Sequence, residues 1–121
     1  MFDTNAVIVA LEGDDPAFRA RMADVEEGDI AISSVVLAEV ALGTKQGKPP
    51  LAYVLDIFLE EVPVLAFDEK AARAYATIPF KRAGYDRLIA AHALSLGLTV
   101  ITGNVKDFAD VPGLKVENWT V

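Results

Sequence analysis

The sequence has no cysteine and only one histidine. Without cysteine the chain forms no disulfide, no zinc-thiolate site and no thiol nucleophile. Basic residues are also scarce, since 11 lysines and arginines stand against 18 aspartates and glutamates, a formal net charge of −7. An acidic surface of this kind opposes binding to a polyanion unless basic residues are clustered locally. No apolar stretch is long enough to span a bilayer or to act as a signal peptide, so we expect a cytoplasmic protein without a membrane segment.

Apolar residues, in contrast, are abundant. The hydrophobic fraction is 53% in a chain of 121 residues, and the mean hydropathy is +0.33. A chain of this length forms one domain with a substantial core, so we predict a single domain over residues 1–121. The apolar excess favours a self-association face or a groove for a partner.

Predicted strands and helices alternate along the chain. Short apolar runs indicate strands at residues 29–33, 62–67 and 98–102, with a last edge strand at 115–117. Helical spacing and capping residues predict helices from Asp15 towards Glu27, from Ser34 to Gly43, at 51–60, from Asp68 to about Ile78, and at 85–96. This order predicts a three-layer α/β/α domain with a central parallel sheet, in which ligands bind at the carboxyl ends of the strands.

Four carboxylates lie beside apolar sequence, each where a predicted strand or loop meets a helix: Asp3, Glu39, Asp86 and Asp107. Glu39 is the only charge in an otherwise apolar helix, and such a helix is normally buried. A buried carboxylate is costly unless a cation or hydrogen bonds compensate it. If the four acids converge, their repulsion raises some of their pKa values, and a hard divalent cation relieves it. The residues therefore predict a magnesium or manganese centre.

Each of these acids also has a simpler explanation when it is taken alone. Asp3 fits a helix N-cap, Asp86 fits a residue that favours a helix dipole, and Asp107 fits an ordinary loop acid. Glu39 is the hardest to explain in this way, because its neighbours leave no polar face. The metal-site hypothesis therefore depends on all four acids meeting.

Four short segments occur in a characteristic order: DTN at 3–5, SSVVLAEVALG at 33–43, YDRLIAAHA at 85–93 and TGNVKDF at 102–108. In this order and spacing they resemble PIN-domain ribonucleases of the VapC toxin type. The resemblance implies a magnesium-dependent endoribonuclease toxin that is usually dimeric and is held inactive by a cognate antitoxin. Only Met1 and Phe2 precede Asp3, so we expect a first strand shorter than the family usually has.

The resemblance also implies roles for individual residues. Asp3 and Asp86 match the principal metal ligands, and Glu39 and Asp107 match acids that bind the metal directly or through water. Residues at four further positions support these acids through hydrogen bonds in the family, namely Thr4, Asn5, Thr102 and Asn104.

Hydrolysis of RNA at such a site needs an activated water and charge relief at the leaving oxygen, which one or two metal ions supply. No side-chain nucleophile is evident, so we expect direct attack by water. A local basic group, Lys81, Arg82 and Arg87, is the candidate for contacts to the RNA backbone, which position a substrate without reading its sequence.

Two other functions remain open at this point. A receiver-like signalling domain would need an acceptor aspartate at a strand end, for which Asp56 is the candidate, but the apolar residues around it have helical spacing. A PIN-like module without catalytic activity would bind only a partner. His92, set among alanines and leucines, is predicted to be a packed histidine and not a catalytic base.

Overall fold

A computed structural model describes all residues from Met1 to Val121. Its strands are short and parallel: β1 (Ile32–Ser33), β2 (Val64–Leu65), β3 (Val100–Ile101) and β4 (Val116–Glu117). β1 pairs with β2, and β3 pairs with β4. Phe2 joins the two pairs through single parallel bridges to Ile32 and Ile101, so the order across the sheet is β2, β1, Phe2, β3, β4.

Six helices surround this sheet. They are α1 (Thr4–Glu12), α2 (Pro16–Ala23), α3 (Ser34–Lys45), α4 (Ala52–Glu61), α5 (Glu69–Tyr75) and α6 (Tyr85–Leu96), and a single 3₁₀ turn spans Val105–Asp107. Asp15 caps α2 and Asp68 caps α5, as predicted from the sequence, because each side chain accepts the backbone N–H of the residue three positions later. Gly97 ends α6 in the left-handed conformation, with φ of 67°, which glycine adopts without steric cost.

The core lies around the middle of the sheet. Phe2 is 1% exposed, and its ring packs edge-to-face against Phe18 of α2 and Trp119, with 5.5 Å between ring centroids in each pair. Ile32 and Val100 on the flanking strands are fully buried. The predicted α/β class with a central parallel sheet is therefore confirmed, and no helix is both long and apolar enough to cross a membrane.

Several boundaries differ from the sequence prediction. Each strand has two residues, where five or six were predicted for β1 to β3 and three for β4, and the first strand is reduced to Phe2. α2 ends at Ala23, because the residues that follow, Asp24 to Asp29, are mostly acidic and include Gly28. α3 is capped by Ser33, not Ser34, and continues through Gly43 to Lys45.

The prediction that α3 is buried on every side is wrong. Ala38 and Ala41 are exposed, and Leu42 is 54% exposed. An apolar pattern shows that a helix surface avoids water but not whether the same chain covers it. The receiver-like alternative is also wrong, because Asp56 lies exposed in the middle of α4 and not at a strand end.

Candidate active site

The structure brings the four predicted carboxylates together around one cavity of about 380 Å³. Each acid comes from a different segment, and each segment follows or faces the carboxyl end of a strand. The residues that line the cavity are Asp3, Thr4, Asn5, Glu39, Tyr85, Asp86, Ile89, Asn104, Asp107 and Phe108.

Local structure explains how each acid reaches the cavity. Asp3 directly follows Phe2 at the centre of the sheet, and its Oδ1 caps α1 by accepting the Ala6 N–H at 2.8 Å. Glu39 lies in the second turn of α3, which begins where β1 ends, and Asp86 lies in the first turn of α6. Asp107 ends the 3₁₀ turn that follows β3. Parallel strands present their carboxyl ends at one edge, so Asp3, Glu39 and Asp107 converge. The first turn of α6 brings Asp86 to the same cavity.

Asp3 is the most buried of the four acids, with 6% of its surface exposed. Burial is the main cause that raises the pKa of Asp3, and the charges of Asp107 and Asp86 raise it further. Hydrogen bonds from Thr102 and from the Ala6 N–H act in the opposite direction. Asp3 therefore fulfils two roles that were considered as alternatives, since it caps a helix and also belongs to the acidic cluster.

Glu39 is half-buried and is held by one side-chain hydrogen bond. The Thr4 hydroxyl donates to Glu39 Oε1 at 2.7 Å, which links α1 to α3. Burial raises the pKa of Glu39, the bond from Thr4 lowers it, and the nearby charges of Asp3 and Asp86 raise it. The raised pKa values of Asp3 and Glu39 have partly the same cause, namely repulsion between carboxylates that share a cavity.

Asp86 and Asp107 are bridged by an arginine. Arg82 Nη2 lies 2.5 Å from Asp86 Oδ2 and 3.5 Å from Asp107 Oδ1. Because both oxygens contact the same nitrogen, they are no more than about 6 Å apart. The guanidinium supplies the positive charge that these two acids need in this arrangement.

The donor chemistry of the site fits a hard divalent cation, because four carboxylates and no softer ligand face one cavity. The side chains are not arranged around one point, however, and no three Asp, Glu or His residues of the chain are placed to bind one ion together. Asp3 is turned to the Ala6 N–H, Glu39 to the Thr4 hydroxyl, and Asp86 to Arg82. The four acids therefore lie close together, and each carboxylate is paired with a hydrogen-bond donor of the chain itself.

The four predicted supporting residues lie at the same place. Thr4 bonds Glu39, and Thr102, which is buried, bonds Asp3 and accepts the Asn104 N–H at 2.9 Å. Asn5 and Asn104 are exposed at the cavity. Asn5 lies against Gly103, where a Cβ would be 2.9 Å from Asn5 Oδ1, so a side chain at position 103 would displace it.

Of the three basic residues predicted to contact RNA, the prediction for Arg87 is wrong. Its side chain is 2% exposed, and it donates to Asp110 Oδ1 at 2.8 Å and to the Pro79 carbonyl at 2.7 Å. Arg87 therefore joins two loops inside the protein and does not reach a bound RNA. Lys81 is exposed, 3.7 Å from Asp110 Oδ2, and Arg82 lies half-exposed at the acids.

Sequence reasoning missed Asp110, the partner of Arg87. Hydrogen bonding to Arg87 lowers the pKa of Asp110, and its Oδ2 is buried without a hydrogen-bond donor. Asp110 lies between Ala109 and Val111, and an acid beside apolar residues is the pattern that also indicated the four cavity acids. The same pattern therefore also indicates Asp110. Through its bond to Arg87, Asp110 anchors the loop that follows Asp107, and it does not line the cavity.

The single histidine lies outside the cavity. His92 is 2% exposed, and its Nδ1 is 2.8 Å from Ser33 Oγ. The Ser33 oxygen already accepts the Val35 N–H, so its hydroxyl proton is available to His92. Burial lowers the pKa of His92, which favours the neutral ring. His92 is a packed core residue, as its apolar surroundings indicated.

Comparison with known proteins assigns the chain to a family. The family profile described as PIN domain matches residues 1–114. The chain belongs to the PIN domain family. This PIN domain is 34% identical over 130 aligned residues to the tRNA(fMet)-specific endonuclease VapC of Shigella flexneri, an alignment that covers 99% of this chain and 97% of that protein.

Solved structures resemble this PIN domain over its whole length. The VapBC2 structure from Rickettsia felis, bound to a DNA fragment from its promoter, matches with a TM-score of 0.84 and 29% identity, covering 98% of this chain and 97% of the other. The DNA-bound VapBC structure from Salmonella typhimurium matches with a TM-score of 0.83 and 31% identity, covering 98% and 96%. The resemblance to VapC-type PIN domains, first seen in four short segments, is thereby confirmed.

Proposed function

We propose that this PIN domain is a metal-dependent endoribonuclease, a VapC-type toxin that a cognate antitoxin neutralises. The observation on which the proposal depends is that carboxylates from four separate segments line one cavity at the carboxyl ends of the strands. The full-length similarity to a protein named as a VapC endonuclease supports the same reaction class. The cytoplasm, where RNA is present, is the proposed location.

The proposed metal is Mg²⁺ or Mn²⁺, held by Asp3, Glu39, Asp86 and Asp107. When bound, such an ion lowers the pKa of a water and stabilises charge on the phosphoryl and leaving oxygens. The chain's own contribution is to gather the four acids around one open cavity. Thr4 fixes Glu39 and Thr102 fixes Asp3, while Asn5 and Asn104 complete the wall. Repulsion among the acids favours the uptake of a cation.

RNA is the proposed substrate, and its backbone has to approach an acidic protein. Lys81 and Arg82 lie together in the exposed segment beside the cavity and supply the local positive charge that phosphates need. Contacts of this kind hold an RNA strand without selecting its sequence. Single-stranded loops are the most suitable targets, because their splayed bases fit an open cavity better than a duplex does.

An antitoxin and a second copy of the chain are the proposed partners. A mainly apolar cavity of about 650 Å³, lined in part by Ile8 and Leu42, shares Thr4, Glu39 and Tyr85 with the acid cavity. A partner segment bound there would also cover part of the acid cavity. That the matched solved structures are VapBC complexes supports a protein partner. For a homodimer, α4 offers exposed apolar side chains, with Tyr53 at 64% and Ile57 at 58% exposure.

The decisive experiment is cleavage of total cellular RNA by the purified chain, with Mg²⁺ or Mn²⁺ and with a chelator. Asp3→Asn and Asp86→Asn should each lose at least about 100-fold in rate, since each removes charge from the reacting centre. Asp15→Asn is the matched control, because Asp15 also caps a helix but lies outside the cavity. It should cleave like the wild type.

Two results would overturn the proposal. Equal cleavage by the wild type and both cavity variants would identify a contaminating nuclease. No cleavage by the wild type with either ion would favour the PIN-like module that only binds a partner.

A further inference from the structure

Arg82 contacts two of the proposed metal ligands at once. Its Nη2 atom lies 2.5 Å from Asp86 Oδ2 and 3.5 Å from Asp107 Oδ1. A surface pair between residues four apart is common at a helix start and contributes little to stability. The contact to Asp107 is different, because that acid belongs to the 3₁₀ turn after β3 and not to α6.

The segment that presents Arg82 is fixed at both ends and open in the middle. Arg87 donates to the Pro79 carbonyl at 2.7 Å through its side chain and to the Gly84 carbonyl at 3.2 Å through its backbone N–H. Residues 80–83 between these anchors are exposed, and the Arg82 side chain is 49% exposed. The side chain is therefore held near the acids but has solvent into which it can turn.

Gly84 allows the close approach between this segment and Asp86. A Cβ at position 84 would lie 2.8 Å from Asp86 Oδ1, closer than a side chain tolerates without a shift. The Asp86 carboxylate thus lies between the glycine backbone on one side and the Arg82 guanidinium on the other. Both neighbours belong to the same six-residue segment, 79–84.

We propose that Arg82 is an internal counter-ion of the metal site, an inference that rests on the proposed function. A divalent ion binds carboxylate oxygens at about 2.1 Å, so an ion on Asp86 Oδ2 would strongly repel the guanidinium, whose Nη2 lies 2.5 Å from the same oxygen. Ion and guanidinium compete for Asp86 and Asp107, so binding of the ion releases Arg82. The released guanidinium stays at the cavity rim, where an RNA phosphate is the anion whose geometry its planar fork matches.

The test is calorimetric titration of the full chain with Mn²⁺, comparing the wild type with Arg82→Gln. Loss of two partly exposed ion pairs should tighten Mn²⁺ binding by about three- to tenfold and should lower the melting temperature without ion. Lys81→Gln is the matched control, because it removes the same charge from the adjacent residue, which pairs with Asp110 instead. It should change the Mn²⁺ affinity less than about twofold.

Unchanged or weaker Mn²⁺ binding by Arg82→Gln would overturn the proposal. So would an equal gain in Lys81→Gln, because that would reveal a general effect of charge and not competition for the same oxygens.

RNA cleavage at saturating Mn²⁺ separates this inference from the proposed function. Arg82→Gln should then show a raised KM, since the phosphate contact is lost while the ion is fully bound. If cleavage occurs and requires Asp3 and Asp86, but Arg82→Gln binds Mn²⁺ as the wild type does, the counter-ion proposal is refuted and the nuclease proposal is kept. If Arg82→Gln binds Mn²⁺ more tightly but neither the wild type nor any variant cleaves RNA, the nuclease proposal is refuted and the counter-ion proposal is kept. No Mn²⁺ binding by either protein overturns both.

Discussion

Replacing Asp3 with asparagine should stabilise the ion-free protein while it removes activity. Asp3 is 6% exposed, and its pKa is raised by burial first and by Asp107 and Asp86 second. A carboxylate whose pKa is raised in the folded state is kept ionised at neutral pH at the expense of stability. Asparagine removes that charge and keeps an oxygen that accepts the Ala6 N–H, now at 2.8 Å, and it is as good a helix cap as aspartate.

The size of the effect follows from the same contacts. Removing one buried charge from the neighbourhood of two like charges should raise the free energy of unfolding by about 1–2 kcal/mol, or roughly 5 °C in Tm for a domain of this length. The assay is thermal unfolding followed by circular dichroism at pH 7 in low salt with chelator.

Asp15→Asn is the control for the cap itself. Asp15 caps α2 by accepting the Phe18 N–H at 2.9 Å, but it does not line the acid cavity. Its replacement should change Tm by less than about 1 °C. A lower or equal Tm for Asp3→Asn, or the same gain in both variants, would refute the idea that the acids repel one another in a shared cavity.

Two further predictions use the same unfolding assay. The higher Tm of Asp3→Asn relative to the wild type should shrink as the pH falls below the raised pKa of Asp3 in the folded protein. It should vanish below the unfolded-state pKa of 3.8, because the carboxyl is then protonated in the folded and the unfolded protein alike. A difference in Tm that grows in acid would contradict the direction of this pKa shift. Arg87→Met should lower Tm by roughly 10 °C, because a buried guanidinium that bonds both Asp110 and Pro79 is lost, whereas an unchanged Tm would show that these bonds do not hold the two loops.

Much of the fold was predictable because its signals are local. α6 begins and ends at the residues predicted, since helical spacing is bounded by a loop before Tyr85 and by Gly97 after it. The convergence of the acids was also predictable, because parallel strands bring their carboxyl ends to one edge. Strand lengths were overestimated, because apolar residues that flank a strand contribute to the core without pairing in the ladder.

What could not be predicted depends on contacts between distant segments. A periodic pattern does not show that Arg87 is buried, since burial of an arginine requires a partner such as Asp110, which lies 23 residues away. Nor does it show that Arg82 turns towards the acids, because that direction is set by the anchored segment between α5 and α6. The open side of α3 was missed for a related reason, since an apolar helix surface looks the same in sequence whether its cover is the same chain or a partner.

The most direct measurement of the central claim is the position of a bound ion, found by anomalous scattering from crystals soaked in Mn²⁺. One or two peaks should lie inside the cavity, within about 2.2 Å of oxygens from at least two of the residues Asp3, Glu39, Asp86 and Asp107, with the Arg82 side chain turned away. Manganese found only at the outer surface of the protein, with Arg82 still bridging Asp86 and Asp107, would contradict the claim that these carboxylates form one metal centre.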